Sequence, residues 1–161
     1  MTTEKIAEGE VIRAGGAVSF GTKLKSIASL NPELVKQLAT IDILDNATLL
    51  QRGAYPEGRA ELCASAGIDH LQLLQALYLM DLERIDGVSW VTGSLLTAAG
   101  VTTVPDLAFR VAEDLMPQLQ RANAELGLVK RLPTAKALKG WIEHARGLPQ
   151  AIFFEGNAEV Y

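Results

Sequence analysis

Apolar positions along this chain recur at helical spacing with few interruptions from residue 31 to residue 148. Near the C-terminal end Leu138, Trp141, Ile142 and Ala145 share one helical face, and Lys136 and Lys139 fall off that stripe. Upstream, Leu82 and Ile85 lie three apart, and Val91, Leu95, Leu96 and Ala99 repeat the helical spacing. No run of alternating β-branched residues competes, so the pattern predicts an all-α fold.

The polar residues between these stripes mark where helices start and stop. Asn31-Pro32-Glu33 combines an N-cap, a proline in the first turn and an acid near the positive helix end, and predicts a helix through about Ala39. Asp45 is placed to cap ATLLQRG, which Gly53 stops; Pro56-Glu57 opens a helix through Arg59, Leu62 and Cys63 to Gly67. Asp69 caps HLQLLQALYLM, and SWVTGSLLTAA ends at Gly100. Thr103 to Asp106 has the form of a capping box with aspartate in the usual glutamate place. PQLQRANAEL ends at Gly127, and TAKALKGWIEHAR runs up to Gly147 and Pro149.

An internal repeat accompanies this pattern. AGIDHLQLL at 66–74 and AGVTTVPDL at 99–107 share a helix-ending glycine, a β-branched residue, a capping stretch and a new helix; TIDILDNATLL at 40–50 is a weaker copy without the glycine. Units this small cannot bury their own apolar faces and must pack on one another. The expected organisation is an irregular N-terminal arm over 1–30, a helical domain over 31–148 and an apolar tail over 149–161. In that tail Ile152, Phe153 and Phe154 stand in a row, and left in water they would invite aggregation. Together with Tyr161 they are the candidate partner interface, an extended segment suited to a neighbour's surface. Truncation after Pro149 should then leave the stability of the helical domain unchanged.

Composition narrows the function classes. At 161 residues the chain has room for one domain with a real core, and its net charge of −4 gives no general attraction to polyanions or anionic membranes. Cys63 is the single cysteine, which excludes an internal disulfide or a thiolate metal cluster and reads as a buried core thiol in a reducing compartment. The N-terminal residues lack the basic and apolar regions of a secretory signal, and no apolar run approaches the ~20 residues that span a bilayer. These features imply a soluble, cytoplasmic protein with no membrane partner.

The segment DLERIDGVSWVTGSLLTAAGV at 81–101 has the pattern of a helix-hairpin-helix unit. Gly87 supplies a positive φ, Val88 plugs the space between the helices, and the amides of Ser89 to Val91 start the second helix. Exposed amides of this kind attract anions, which makes Gly87 and Ser89, with Lys136 and Lys139 of the basic stretch 121–146, the candidate phosphate contacts. Opposing this, residues 81–114 hold Asp81, Glu83, Asp86, Asp106, Glu113 and Asp114 against Arg84 and Arg110. A purely structural turn is the favoured reading, and it leads to the expectation that Ser89→Ala is nearly silent.

Four stretches, GRAELCASAGI at 58–68, DLERIDGV at 81–88, SLLTAAGVTTVPDLA at 94–108 and RLP with WIEHAR at 131–133 and 141–146, carry a resemblance. From about Ile41 to Leu148 the chain resembles a family of uncharacterised bacterial proteins made of paired helix-hairpin-helix units. That resemblance implies a tandem helix-hairpin-helix fold and brings no settled activity with it. Where DNA-binding hairpins of this type carry a second glycine and then a cation, this chain has Ser89 followed by Trp90-Val91-Thr92.

Familiar catalytic chemistry is missing from the pattern. GAVSFGTK at 16–23 comes near a phosphate-binding loop, but Thr22 and Lys23 stand in the reverse order and no strand precedes them. His70 and His144 lack metal-ligand spacing, and no Ser/His/Asp or Cys/His set assembles. The sequence therefore offers no catalytic, cofactor-binding or metal residue, and the expected protein is not an enzyme. Its expected role is a protein interaction or assembly module, self-associating or a small subunit of a larger complex. The alternative is a nucleic-acid binder using residues 87–91 and the basic helix 130–146.

Overall fold

The computed structural model describes residues 21–154. A 3₁₀ turn at Leu24–Ser26 leads into α1 (Pro32–Ala39), α2 (Asn46–Arg52), α3 (Pro56–Ala66), α4 (His70–Leu82), α5 (Trp90–Ala98), α6 (Val104–Ala108), α7 (Ala112–Leu126) and α8 (Ala135–Arg146). Among the described residues the only β pairing is an isolated bridge between Lys23 and Asp45. The all-α expectation therefore holds.

Helix starts follow the caps legible in the sequence. Side-chain oxygens of Asn31, Asp45, Asp69 and Thr134 accept amide bonds from the first turns of α1, α2, α4 and α8. At α6 the box is displaced by one residue: Thr103 Oγ1 accepts from the Asp106 amide, but Asp106 Oδ2 takes its bond from the Thr102 amide at 2.9 Å. α7 departs further, beginning at Ala112 rather than near Pro117. Glu113 and Asp114 fill its first turn, where the helix dipole favours acids, and Pro117 sits on an exposed side where one lost ladder bond costs less than in the core.

The core divides into two apolar clusters. One gathers Leu24, Ile27, Leu30, Leu34, Leu49, Leu73 and Met80; the other gathers Leu82, Ile85, Val88, Leu96, Leu107, Leu119 and Trp141. The division falls inside α4, between Met80 and Leu82, so this helix contributes to both clusters and joins the two halves. The expected boundaries at 31 and 148 shift accordingly. Leu24, Ile27 and Leu30 precede the expected start yet are buried, and Ile152 lies beyond the expected end yet belongs to the first cluster. Residues 1–20 of the expected arm, including most of GAVSFGTK, lie outside the described residues, as do Glu155-Gly156-Asn157 and Tyr161. No helix of the described residues is long and apolar enough to cross a membrane.

Candidate functional site

The α4–α5 hairpin has the expected backbone. Gly87 has φ +89°, Val88 is buried beneath it, and Ser89 caps α5. Its polar groups, however, are turned inward on the helix itself. Ser89 Oγ accepts from the Thr92 amide, while the Ser89 amide donates to Thr92 Oγ1 at 2.8 Å, a complete capping box. One residue before the glycine, the Asp86 amide donates to His144 Nδ1 of α8 at 3.0 Å. A Cβ on Gly87 would meet Trp141 Nε1 at 3.0 Å, so the turn rests against α8. Of the lysines grouped with it, Lys139 pairs with Glu113 at 3.2 Å on the surface, and Lys136 is exposed.

The tail is organised differently from the expectation. Ile152 is buried in the first cluster, and Phe153 and Phe154 are half-buried against their own chain. The Phe153 amide donates to the Ala54 carbonyl at 2.7 Å, and its ring stacks on Tyr55 with centroids 4.8 Å apart. A neighbour is therefore not needed to cover Ile152, which is buried within its own chain, while the α2–α3 connection holds the adjoining Phe153. The reason is a pair of buried guanidiniums that the apolar pattern did not single out. Arg59 Nη1 bonds the carbonyls of Gly53 and Ala54, its Nη2 bonds the Phe153 carbonyl at 2.7 Å, and the guanidinium lies over the Phe154 ring. Arg84 Nη2 holds the Pro149 carbonyl at 2.7 Å, and its Nη1 pairs with Asp81. The available signal was position: Arg59 shares a stripe with Leu62, and Asp81 stands four residues from both Leu77 and Ile85.

Titration is shaped mainly by burial. Burial raises the Asp81 carboxyl, against the pull of Arg84 and of the Val104 amide that donates to it, and burial lowers the Arg59 guanidinium. Glu83, with Oε2 buried and lacking a hydrogen-bond partner, is pushed up to about 7 by burial. Cys63 is half-buried rather than fully buried, with Sγ 3.9 Å from His70 Nδ1, and burial and then Asp69 push its thiol up, which favours the unreactive protonated form. Among the described residues no three His, Cys, Asp or Glu side chains come together to hold a metal ion.

A groove of about 830 Å³ opens on one side of the helical bundle. It runs between the start of α1, one face of α4, one face of α5 and the end of α7. Leu71, Val91, Leu126 and Leu128 line it while remaining exposed, and the other lining residues are apolar or neutral, with Gln72, Gln75, Ser94 and Thr97 among its polar groups. No charged side chain lines it. The sequence pattern missed this groove because its walls come from segments up to a hundred residues apart.

The family model of a domain of unknown function, DUF4332, matches residues 28–148. No curated protein and no solved structure matches the chain.

Proposed function

The chain belongs to the DUF4332 family, and from that premise we propose that it is a non-catalytic interaction module that presents an uncharged apolar groove to a protein partner. Its framework, in this reading, is a tandem of helix-hairpin-helix units. Support for the tandem comes from a recurring junction: Gly67-Ile68, Gly87-Val88 and Gly100-Val101 each join a glycine at positive φ to a buried β-branched residue ahead of a capped helix. The lone half-buried thiol suits a reducing bacterial cytoplasm.

The groove carries the functional reading. About a fifth of the chain is charged, yet no charge lines this groove, and four large apolar side chains remain exposed within it. Exposed apolar surface gathered in one place marks a docking site more often than an idle surface. A nucleic-acid partner has less to hold: the Asp86 and Ser89 amides of the hairpin and the Ser89 hydroxyl have partners within the protein.

A photo-crosslinking residue in place of Val91, in the full chain inside living cells, tests this reading. Irradiation should give a protein adduct through the groove. Adducts to nucleic acid alone, or no protein adduct at all, would remove the reading.

A further inference from the structure

We propose that the occupant of the groove is a second copy of this chain, each copy placing its Phe109–Val111 knob in the groove of the other. The inference rests on the interaction reading above and names the partner. Phe109 is 87 % exposed and Val111 54 %, a surface aromatic and a β-branched residue flanking Arg110 in the turn between α6 and α7. The turn is held firmly. Arg110, between them, donates to Asp106, to Gln118 and, at 2.9 Å, to the Gly100 carbonyl. Gly100 lines the groove, so the knob is tied to the groove's own rim.

That adjacency suits a two-fold pair. An isologous interface uses the same patch on both subunits, which requires knob and receptor to lie side by side on one patch. Charge points to the same occupant. Two copies of a chain with net charge −4 carry a net repulsion, and the groove is a place without charge where they can approach. Area agrees as well. Leu71 (60 %), Val91 (48 %), Leu126 (59 %) and Leu128 (36 %) add to the knob. Together the six side chains leave roughly 600 Å² in water, against about 800 Å² per partner in a stable interface. Gln72, Gln75, Ser94 and Thr97 around them supply neutral polar surface for the remainder.

Light scattering on the full chain across a concentration series should give twice the 17.3 kDa of one chain. Phe109→Glu and Leu71→Glu should each reduce the mass to one chain while keeping the helical far-UV signal and a cooperative melt, since both side chains are largely exposed. Mixing the two variants should restore the doubled mass, because one intact knob then meets one intact groove; a merely sticky surface gives no such rescue. A single-chain mass for the unmodified protein, variants that keep the doubled mass, or a mixture that stays single would each overturn the inference. If deleting residues 2–20 converts a single-chain mass to a doubled one, the protein's own N-terminal segment occupies the groove and the second copy does not. An adduct from position 91 to a different protein, with a single-chain mass, would overturn the second copy and leave the interaction reading standing.

Discussion

Arg84 Nη1 lies 2.6 Å from Asp81 Oδ1, with both side chains closed off from solvent. The pair sits where the two apolar clusters meet, and each partner has a second task. Asp81 Oδ2 accepts the Val104 amide at the start of α6, and Arg84 Nη2 holds the Pro149 carbonyl of the tail. One ion pair thus ties α4, α6 and the C-terminal segment together.

Removing one partner of that pair should cost far more than removing both. Arg84→Met leaves Asp81 buried without a counter-charge and should destabilise by about 3–5 kcal/mol. The double change Arg84→Met with Asp81→Leu should cost measurably less than the two single changes added together. Chemical denaturation of the four proteins of the cycle measures this coupling, and additive effects would contradict it.

Two positions in the hairpin should respond for different reasons. Gly87→Val meets both a backbone at φ +89° and the Trp141 ring, and should cost about 2–4 kcal/mol. Ser89→Ala loses the capping box of α5 and should cost about 1 kcal/mol, contrary to the silence expected of a residue that merely follows a turn. Thermal melts of the two variants separate these magnitudes.

Truncation after Pro149 should weaken the fold, because it removes buried Ile152 and the Phe153 carbonyl that Arg59 holds. Ile152→Ala alone should cost about 2–5 kcal/mol. The sequence pattern led to the opposite expectation for the truncation, and a melt of the truncated chain decides between them.

Stability should depend on pH through Glu83. Burial holds its carboxyl at about 7 in the folded chain, against an ordinary 4.5. The folded state keeps a proton that the unfolded chain gives up, so this contribution is complete below pH 4.5 and is lost as pH rises through 7. The side chain is partly open to water, which reduces the effect to about 1 kcal/mol. Glu83→Gln should therefore gain stability relative to the unmodified protein at pH 8 and little at pH 4, read from paired melts at the two pH values.

Surface lysines of α8 should matter little. Lys136 and Lys139 are exposed, and replacing both with glutamine should change stability by less than about 0.5 kcal/mol. DNA binding by the unmodified chain at physiological salt should be weaker than micromolar, measured by fluorescence anisotropy. A tight, salt-sensitive complex lost on changing Lys136 would return the phosphate reading to first place.

By itself the sequence determined where most of the helices begin and end. Asn31, Asp45, Asp69 and Thr134 cap within three residues of themselves, and Gly67, Gly87, Gly100 and Gly127 take a positive φ that other residues resist. These are short-range effects, written into neighbouring residues. Tertiary structure alone decided that α7 runs through Pro117, that Ile152 returns to the first cluster, and that Arg59 meets a carbonyl 94 positions away. It also decided which neutral and apolar residues of α1, α4, α5 and α7 face one another across the groove. Periodicity tells which face of a helix is buried but not which distant segment covers it. A buried guanidinium is tolerated only where carbonyls from elsewhere in the chain converge on it, and that convergence exists only once the helices have packed.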